Sequence, residues 1–475
     1  MNVRICVKYH IVPFGCQMNR SDAERVRTVL ESMGFVEAAD ENDPQIAIKG
    51  IIACSVRQKA IDRVYGRILK WNKAKAEKPL ITFVSGCVLP ADKKKFLKLF
   101  DLVFPMDTLP ELPQMIRDYG VAIPMNRNPP EGVDLQKEQL KTGGAAALAL
   151  DSKNRIEEFW KLSPHYASDW EAYVPIQNGC DKFCTYCAVP YTRGREVSRP
   201  SQDILAEVHS LVEKGYKSIT LLGQNVNSYG LDKKGEEKSF PQLMKAIGEL
   251  GMESGKEFWV FFTSPHPRDI TNELLEVMAA YPVLANWVHF PLQSGDDEVL
   301  ERMNRRHSME RYREVMGDIR RILPGVSVFT DIIVGFSGET EEQFNHTVDA
   351  MREFCYDMAF IAQYSPRPGA KSADWPDDVP KAEKERRFHL LGDELTQAAA
   401  PRNLQRVGTI ERVLVTGKDR KDGYYSGYTQ GRIPVRVSAQ GAQLGEFCDV
   451  EVVSARPLSI EGVPVHSGGR EDGNA

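Results

Sequence analysis

The chain has 475 residues, of which 42% are apolar and 27% are charged, and its formal net charge is −5 at pH 7. This composition is ordinary for a soluble globular protein and excludes disorder on a large scale. A single core stops growing at roughly 250 to 300 residues, so the length predicts two or three domains. No apolar run approaches the ~20 residues of a membrane span, and the N-terminus lacks an export signal, so we expect a cytoplasmic protein without a membrane partner.

The N-terminal part repeats one unit three times: an apolar strand, a cysteine close behind it, and an amphipathic helix. The predicted strands cover residues 9–14, 45–52 and 80–84, and the cysteines are Cys16, Cys54 and Cys87. A parallel sheet carries successive strand ends to one edge, so the three thiols can converge there. One such cysteine is more often a small apolar side chain, but three in matching positions favour a shared site. We predict a parallel α/β domain over residues 1–120.

Charge is unevenly distributed in this part of the chain. Residues 61–100 carry ten lysines or arginines against three acids. Such a local excess can hold phosphates, although a solvated helix face explains it about equally well. Residues 121–168 then break the strand-helix period and contain Pro124, Pro129 and Pro130. We interpret them as a linker or a partly ordered insertion.

Cys180, Cys184 and Cys187 lie in the stretch NGCDKFCTYCAVPYTRGR, directly after an apolar run at residues 172–177. Thiolates at this spacing can hold three corners of a 4Fe-4S cluster and leave its fourth iron without a protein ligand. A structural zinc site is the alternative, but it closes with four ligands, and no fourth Cys or His is adjacent. The loop therefore indicates an iron-sulfur centre at the carboxyl end of a strand, where α/β barrels place their active sites.

From residue 173 onward, six apolar strand candidates alternate with helices. They are AYVPIQ, SITLLGQN, FWVFFTS, NWVHFPLQ, SVFTDIIVGF and MAFIAQYS. This alternation predicts parallel strands with right-handed helical crossovers. Six units fall short of the eight that close a TIM barrel, so we predict an open, partial (β/α)6 barrel over residues 169–400. Two capping boxes predict helix starts, Ser21 with Glu24 in the N-terminal domain and Thr340 with Gln343 here.

The apolar period switches toward two after the helical run at residues 381–400. The segments IERVLVTG, GYYSGYTQG, IPVRVS and CDVEVVSA are separated by Gly-containing turns. This pattern predicts a small β-barrel over residues 401–466, followed by a tail at 467–475. Such modules often bind nucleic acid, but its charges are nearly balanced, so a structural cap remains the alternative.

Together these motifs resemble the methylthiotransferases of the radical S-adenosylmethionine superfamily, in particular the branch that makes 2-methylthio-N6-isopentenyladenosine in tRNA. The resemblance covers most of the chain. It rests on FGCQMNRSDAE, ACSVRQKA, SGCV, the central cysteine loop, LLGQNVNSYG, VHFPLQSGDDEVLERMNRRH, DIIVGFSGETEEQF and YSPRPG. It implies that the terminal β-barrel is a TRAM domain that binds RNA.

The resemblance also implies two 4Fe-4S clusters. Cys180, Cys184 and Cys187 would ligate the reducing cluster, whose open iron chelates S-adenosylmethionine. Reduction of the sulfonium then releases a 5′-deoxyadenosyl radical. Cys16, Cys54 and Cys87 would hold an auxiliary cluster that carries the sulfur. The family reaction uses two molecules of S-adenosylmethionine, one as methyl donor and one as the radical source that takes hydrogen from adenosine C2. The protein excludes water and positions the target carbon.

Further residues lie at predicted strand ends and are candidates for contacts with S-adenosylmethionine. They are Tyr186 against the adenine, Gln224 and Asn225 at the methionine portion, and Ser294, Asp331 and Gly335 in the same pocket. A core aromatic is the alternative for Tyr186, and helix capping is the alternative for the Gln-Asn pair. Two arginine groups are candidates for phosphate contacts or carboxylate pairs. They are Arg193, Arg195 and Arg199, and Arg302, Arg305 and Arg306. A solvated basic surface is the alternative for each group.

The chain departs from the family pattern in three places. Ile52 and Ala53 precede Cys54 where the family has Asn-Thr, and Val88, Leu89 and Pro90 follow Cys87. Ser337 stands where a proline is frequent in GFPGET. Because all six cysteines are present, these changes bear on the tuning of the clusters more than on their presence.

Within the same enzyme class, the alternatives act on threonylcarbamoyladenosine in tRNA or on an aspartate of a ribosomal protein. A zinc-containing RNA-binding module without catalysis and a thiol-disulfide oxidoreductase are the alternatives outside it. We expect tRNA as the substrate partner, an unidentified electron-donor protein, and a monomer.

Overall fold

A computed structural model describes residues 7–54, 58–75, 77–119 and 152–465. Most of the segment between residues 121 and 168 that is predicted as a linker, and the tail predicted at 467–475, lie outside these ranges. Over the described ranges, no helix has both the length and the apolar character that crossing a membrane requires.

The N-terminal domain is built on a five-stranded parallel sheet in the order β2-β1-β3-β4-β5. The strands are β1 (Lys8–Pro13), β2 (Val36–Glu37), β3 (Ile46–Cys54), β4 (Ile81–Cys87) and β5 (Leu102–Val103). The helices are α1 (Gln17–Ser32), α2 (Gln58–Ala74), α3 (Pro90–Phe96) and α4 (Leu112–Asp118), with a 3-10 turn at Met106–Glu111. Each face of the sheet has its own apolar core, since β3 alternates Ile48 and Ile52 toward one face with Ile51 and Ala53 toward the other. The predicted parallel α/β domain is confirmed.

The predicted start of α1 at Ser21 is wrong. The helix begins at Gln17 with Cys16 as its N-cap residue, and no side chain caps it. Ser21 and Glu24 lie inside the helix and are buried, because this face of α1 packs against the central domain. Ser21 Oγ donates to the carbonyl oxygen of Tyr173, 3.1 Å away. The polar residues thus serve a domain contact rather than a helix end.

A further helix, α5 (Ser152–Trp160), lies in the segment that the sequence predicts as a linker. Its residues Ile156, Phe159 and Trp160 are buried in the N-terminal core. The chain after it runs along α1, where Thr28 Oγ1 donates to the Ser163 carbonyl oxygen at 2.7 Å. The described end of this segment therefore packs as part of the N-terminal domain.

The central domain contains the six predicted parallel strands. They are β6 (Glu171–Pro175), β9 (Ser218–Leu222), β10 (Trp259–Phe262), β11 (Trp287–His289), β12 (Ser327–Val334) and β13 (Met358–Gln363). They form two sheets, β6-β9-β10 and β11-β12-β13, and a parallel bridge from Val260 to Leu284 leads from one to the other. The short strands β7 (Gln177–Asn178) and β8 (Val197–Ser198) pair beside the cysteine loop. The predicted open, partial barrel is confirmed.

Helices cover the outer face of these strands over one large apolar core. They are α7 (Ser201–Glu213), α8 (Phe240–Ser254), α9 (Asn272–Ala280), α10 (Asp297–Arg302), α11 (Met309–Ile322), α12 (Glu341–Phe354) and α13 (Lys381–Leu404). The short helix α6 (Val189–Arg193) directly follows the cysteine loop and buries none of its residues. Short 3-10 turns lie at Val226–Ser228, Leu231–Lys233, Pro267–Asp269 and Lys371–Asp374. The capping box predicted at Thr340 and Gln343 is present at the start of α12.

The C-terminal domain is a closed five-stranded barrel in the order β14-β15-β16-β18-β17. Its strands are β14 (Ile410–Lys418), β15 (Tyr424–Thr429), β16 (Pro434–Ser438), β17 (Phe447–Arg456) and β18 (Ser459–Pro464). The sequence pattern predicts the first four. The fifth strand closes the barrel by pairing in parallel with β16 and antiparallel with β17, which short-range alternation does not reveal.

This barrel docks on the amino ends of the central strands. Arg432 lies 3.7 Å from the ring centroid of Phe261 and 4.4 Å from that of Tyr428, and its Nη2 donates to Thr220 Oγ1 at 3.0 Å. Trp259, which begins β10, belongs to the same apolar cluster as the barrel core. The carboxyl ends of the central strands, opposite this contact, are left to carry the site.

Candidate active site with two cysteine groups

Three cysteines, called here the N-terminal trio, come together at the carboxyl edge of the first sheet. Cys54 and Cys87 end the neighbouring strands β3 and β4 and are register partners. Cys16 lies in the turn between β1 and α1. Gly15 beside it has φ +106°, and a Cβ at this position would lie 2.4 Å from the Cβ of Cys54. Glycine is therefore required for this turn to approach Cys54 so closely.

Asn19 connects the three turns that carry the N-terminal trio. Its Nδ2 donates to the carbonyl oxygens of Phe14 at 2.6 Å and Ala53 at 2.7 Å. Its Oδ1 lies 3.9 Å from Cys16 Sγ and 3.8 Å from Cys87 Sγ. One amide thus holds the ends of β1 and β3 together and faces two of the three sulfurs.

The N-terminal trio has the donor set that an iron-sulfur cluster needs. Burial raises the pKa of the Cys87 thiol to about 12; the Arg193 guanidinium lowers it, and the nearby Cys16 and Cys54 raise it further. Cys54 and Cys87 are buried, whereas Cys16 is exposed. Three thiols converging on one edge, partly open to solvent, fit a cluster that is ligated by three thiolates.

The second group, called here the central trio, consists of Cys180, Cys184 and Cys187 in the loop after β6 and β7. The loop is wound tightly, since the Cys187 N–H donates to the Cys184 carbonyl oxygen at 2.9 Å. Gly179 at its start has φ +79°, and a Cβ there would lie 2.0 Å from the Arg195 carbonyl oxygen. The predicted position at the carboxyl end of a barrel strand is what the structure has.

A buried arginine, Arg305, contacts the central trio. Its Nη1 donates to Cys184 Sγ at 3.5 Å and its Nη2 to the Pro291 carbonyl oxygen at 3.2 Å. Burial raises the pKa of the Cys180 thiol to about 11 and that of Cys187 to about 12, and Cys184 acts in the same direction on both. A cluster would take these groups as thiolates, so its binding would release their protons.

A single zinc ion and a four-iron cluster place different demands on the spacing of three thiols. Within the four described ranges, no three Cys, His, Asp or Glu side chains form a group that could hold one metal ion. A single zinc binds each sulfur at about 2.3 Å, which requires the sulfurs to lie close together. A four-iron cube gives each thiolate its own iron, and therefore accepts thiols that are farther apart.

Unpaired polar atoms lie beyond the end of β9. Asn225 is 1% exposed, and its Oδ1 and Nδ2, together with Gln224 Oε1, lack a hydrogen-bond partner in the described part of the chain. The preceding Gly223 packs on Gln177, three residues before Cys180. Buried polar atoms are rarely left unpaired in proteins. These atoms fit a polar ligand bound beside the central trio.

Tyr186 and Asp331 also lie near the central trio. The Tyr186 ring packs against the buried cluster of Val299, Met303, Phe336 and Tyr364. Burial raises its pKa well above the ordinary value; Arg305 opposes this shift, and Asp331 adds to it. Asp331 Oδ2 lies 2.8 Å from His289 Nε2. The structure thus brings Tyr186, Arg305 and Asp331 into one electrostatic neighbourhood.

Ser294 and Gly335, the other predicted contacts of S-adenosylmethionine, have partners within the protein. Ser294 Oγ accepts from the Asp296 N–H at 3.3 Å and lies 3.4 Å from Thr347 Oγ1. The Gly335 N–H donates to Glu339 Oε2 at 2.6 Å. Both lie near the carboxyl ends of central strands, and their contact with the cofactor stays a prediction.

Arg193 reaches from the helix behind the central loop to the N-terminal trio. It ends α6, and its Nε donates to Cys87 Sγ at 3.0 Å. Its Nη2 lies 2.5 Å from Asp22 Oδ2 and 3.2 Å from Asn19 Oδ1. The side chains of Arg193 and Asp22 are 6% and 1% exposed. Of the two predicted roles, phosphate contact or carboxylate pair, Arg193 takes the second.

Two of the other five predicted arginines also take carboxylate partners. Arg199 pairs with Glu207 in the interior, and Arg195 pairs with Asp181 at the surface. The remaining three contact Gln343 (Arg302), Cys184 (Arg305) and Asn304 (Arg306).

Comparison with known proteins places this arrangement in a family. Residues 174–351 match the Radical SAM superfamily, and residues 8–105 match the Uncharacterized protein family UPF0004. A tRNA-2-methylthio-N(6)-dimethylallyladenosine synthase of Actinobacillus succinogenes is 35% identical over 462 residues, which cover 96% of this chain and 92% of that protein. One of Francisella tularensis subsp. holarctica is 36% identical over 463 residues, with 96% and 98% covered. The chain belongs to this synthase family.

The fold of this synthase family member is similar to that of a solved radical S-adenosylmethionine enzyme. TsrM from Kitasatospora setae, a radical S-adenosylmethionine methyltransferase with tryptophan and an S-adenosylmethionine analogue bound, has a TM-score of 0.52 at 15% identity. The likeness covers 77% of this chain and 75% of that chain. At this identity it supports the fold alone.

The three departures from the family pattern have structural explanations. Ile52 and Ala53 are fully buried on opposite faces of β3, so apolar cores replace the two polar side chains. Leu89 is buried as the N-cap residue of α3, with Pro90 in the first turn. The Ser337 hydroxyl donates to the Pro376 carbonyl oxygen.

Two residues of the site have no role in the prediction from sequence. Asn19 and Asp22 both belong to the motif FGCQMNRSDAE. They follow the N-cap residue Cys16 by three and six residues, and residues at this spacing lie on the same face of a helix. A polar pair at this spacing behind a cysteine was the available signal.

Proposed function

We propose that this chain is a radical S-adenosylmethionine methylthiotransferase. It inserts a methylthio group at C2 of N6-isopentenyladenosine, also called N6-dimethylallyladenosine, next to the anticodon of tRNA. The observation that carries the proposal is the presence of two cysteine trios, each at the carboxyl edge of a parallel sheet, with the buried Arg193 reaching from the helix after the central trio to Cys87 of the N-terminal trio. One trio serves the radical step and the other serves the sulfur.

The central trio would hold a 4Fe-4S cluster with one open iron, and the N-terminal trio would hold the second cluster. When bound, the clusters supply an electron to the sulfonium of S-adenosylmethionine and the sulfur that is methylated and transferred. The protein's part is to orient these groups. Asn19 holds the strand ends of the N-terminal trio, and Arg305 fixes Cys184 from the interior.

S-adenosylmethionine would bind beside the central trio. Asn225 and Gln224 offer unpaired buried amide atoms to its amino and carboxylate groups. Tyr186, one residue before Cys187, would pack on its adenine. Asp331 lies in the same electrostatic neighbourhood and would bind a polar group of the nucleoside. These roles agree with the prediction from sequence. Ser294 and Gly335, near neighbouring strand ends, would line the same pocket.

The domains divide the remaining work. We assign the sulfur site to the N-terminal domain, the radical site to the central barrel, and the support of the barrel's amino end to the C-terminal domain. Action on tRNA suits a cytoplasmic enzyme. The electron-donor protein and the monomeric state stay predictions.

The deciding experiment is mass spectrometry of nucleosides from tRNA that has been incubated with anaerobically reconstituted protein, reductant and S-adenosylmethionine. The proposal expects 2-methylthio-N6-isopentenyladenosine from tRNA that carries isopentenyladenosine. A methylthio product on threonylcarbamoyladenosine or on a ribosomal protein would show that the substrate is a different one and that the reaction type is correct. If the protein holds one zinc ion and forms no product, the assignment of an enzymatic function is wrong.

Two cysteine variants test the division of labour. Cys184→Ala should abolish cleavage of S-adenosylmethionine to 5′-deoxyadenosine and leave the second cluster in place. Cys54→Ala should abolish methylthio transfer and spare some 5′-deoxyadenosine. Iron counts fall from about eight to about four per chain in each case. Undiminished 5′-deoxyadenosine from Cys184→Ala would contradict the assignment of the central trio.

A further inference from the structure

Positive charge is concentrated on one part of the N-terminal domain. Residues 58–98 contain eleven lysines or arginines and three acids, a local charge of +8, although the whole chain has −5. The remainder of the protein therefore carries −13. This segregation is strong enough to govern where a polyanion first meets the enzyme.

The charges of this region are available to a ligand. The N-terminal basic surface is defined here as Lys59, Arg63, Lys70 and Lys73 on α2 with the lysines at 93–95 on α3. All of these residues are exposed, and none forms an ion pair with a carboxylate of the described chain. Arg67 differs, because it pairs with Glu41 at 3.1 Å.

The C-terminal barrel, the expected RNA-binding module, offers much less unpaired charge. Five of its cations are paired with carboxylates: Arg406 with Glu411, Arg412 with Glu257 and Asp449, Lys421 with Glu461, Arg432 with Glu171, and Arg436 with Asp419 and Glu461. Lys418, Arg420 and Arg456 are exposed without such a pair in the described chain. The net charge of a cation-carboxylate pair is close to zero, so a paired cation attracts phosphate less strongly than an unpaired one.

The N-terminal basic surface starts at the rim of the site. Helix α2 begins at Gln58, four residues after Cys54 in the chain, and Gln58 accepts a hydrogen bond from Arg367 Nη1 at 2.6 Å. Arg367 follows β13, at the carboxyl end of the central barrel. The 17 residues of α2 then extend about 25 Å from this rim. A strand of RNA with one base in the site can follow this helix.

We propose that the N-terminal basic surface binds the phosphate backbone of the RNA substrate and contributes more to its affinity than the C-terminal barrel. This rests on the proposed function, since it names how the same site holds its tRNA. Six of its seven cations are lysines, which are depleted at protein-protein interfaces but common where proteins neutralise phosphates. An acidic electron-donor protein is the other polyanion that this surface would attract.

The test compares two matched triple variants of the full-length, reconstituted enzyme. One removes charge from α2 (Lys59→Gln, Arg63→Gln, Lys70→Gln), and the other removes the unpaired charge of the barrel (Lys418→Gln, Arg420→Gln, Arg456→Gln). The probe is a fluorescent tRNA anticodon stem-loop that carries isopentenyladenosine, and its Kd is measured by anisotropy over a range of salt concentrations. Iron content and melting temperature establish that each variant is folded and loaded.

The α2 variant should bind at least tenfold more weakly at about physiological salt, and its slope of log Kd against log salt should fall by about 2 to 3. The barrel variant should lose less than threefold. Binding of the α2 variant within threefold of wild type, or equal losses in both, would overturn the proposal. The proposal would also be overturned if the α2 variant bound RNA normally but was reduced more slowly by an acidic flavoprotein and not by dithionite, because the surface would then serve the electron donor.

If the triple variant does not fold, the Lys59→Gln and Lys70→Gln single variants should each lower the slope by about 0.7 to 0.9. Failure of the proposed function would be seen separately, as absence of the methylthio nucleoside from the wild-type reaction. The inference about the surface is decided by binding alone.

Discussion

Replacement of Arg193 by glutamine tests the contact between the helix after the central trio and the N-terminal trio. The guanidinium forms a buried ion pair with Asp22 and donates to Cys87 Sγ at 3.0 Å. Removing one partner of a buried pair costs about 3–5 kcal/mol, because the other charge is left unpaired. We therefore expect Arg193→Gln to lower the melting temperature and to retain the second cluster less well. Arg193→Gln with Asp22→Asn should recover most of the stability, since no charge stays buried.

The redox potential of the second cluster reports on the hydrogen bond itself. A cationic donor to a ligand thiolate favours the more negative, reduced state, so the arginine raises the potential. A charge-assisted hydrogen bond contributes about 1.5–3 kcal/mol. If roughly half of this distinguishes the two redox states, about 0.75–1.5 kcal/mol, the loss lowers the potential of a one-electron couple by roughly 30–65 mV.

The assay is a potentiometric titration followed by electron paramagnetic resonance, in a full-length background whose central trio is replaced by alanine. Arg25→Gln is the matched control, because Arg25 is also a buried arginine of the domain contact, 3.9 Å from Glu207, but its partners are Ser21 and Glu207. Arg193→Lys keeps the charge and should give a smaller shift. An Arg193→Gln enzyme with wild-type iron content and unchanged potential would refute the reasoning.

Three further expectations follow from single residues. Asn225→Ala removes an otherwise unpaired amide and its ligand contact, worth about 1.4 kcal/mol, so it should weaken S-adenosylmethionine binding about tenfold. The Kd is measured by equilibrium dialysis on protein with full iron content, and an unchanged Kd would place the cofactor elsewhere. Burial raises the pKa of Glu24 from 4.5 to about 7, so the folded state binds an extra proton between these pH values, and stability falls as the pH rises through them. Glu24→Gln should therefore raise the melting temperature at pH 8, with a gain of up to about 3 kcal/mol in the free energy of unfolding that shrinks toward pH 4.5. A gain that does not depend on pH would contradict this cause. Arg432→Ala removes a cation-π contact with Phe261 and a hydrogen bond to Thr220, so it should destabilise the docked C-terminal barrel by about 2 kcal/mol in thermal unfolding. Arg432→Lys should recover part of this loss, and an unchanged melting curve for Arg432→Ala would show that the apolar cluster alone holds the barrel.

The elements with strong local patterns could be predicted from the sequence. The three strand-cysteine-helix units, the six central strands and the start of α12 all carry their signal within a few residues. The central trio is equally local, because its spacing within one loop already implies the chemistry. The family resemblance then assigns the N-terminal trio to a second cluster.

Contacts between distant segments were decided by the tertiary structure. Arg193 meets Asp22 across 171 residues of sequence, and neither residue has a neighbour in the chain that identifies the other. Ser21 looks like a helix cap in sequence, but its face of α1 is buried against the central domain and the helix starts four residues earlier. The fifth barrel strand, Ser459–Pro464, forms because it closes the barrel edge.

The sequence by itself determined which thiols this protein has and at which strand ends they stand, because periodicity and ligand spacing are properties of short segments. The tertiary structure alone decided that Arg193, which follows the central loop, contacts a sulfur of the N-terminal trio. It also decided that the barrel's cations are largely neutralised while those of α2 are not, and that α2 begins at the rim of the site. Ion pairing and burial depend on which surfaces meet, and that depends on the packing of whole domains.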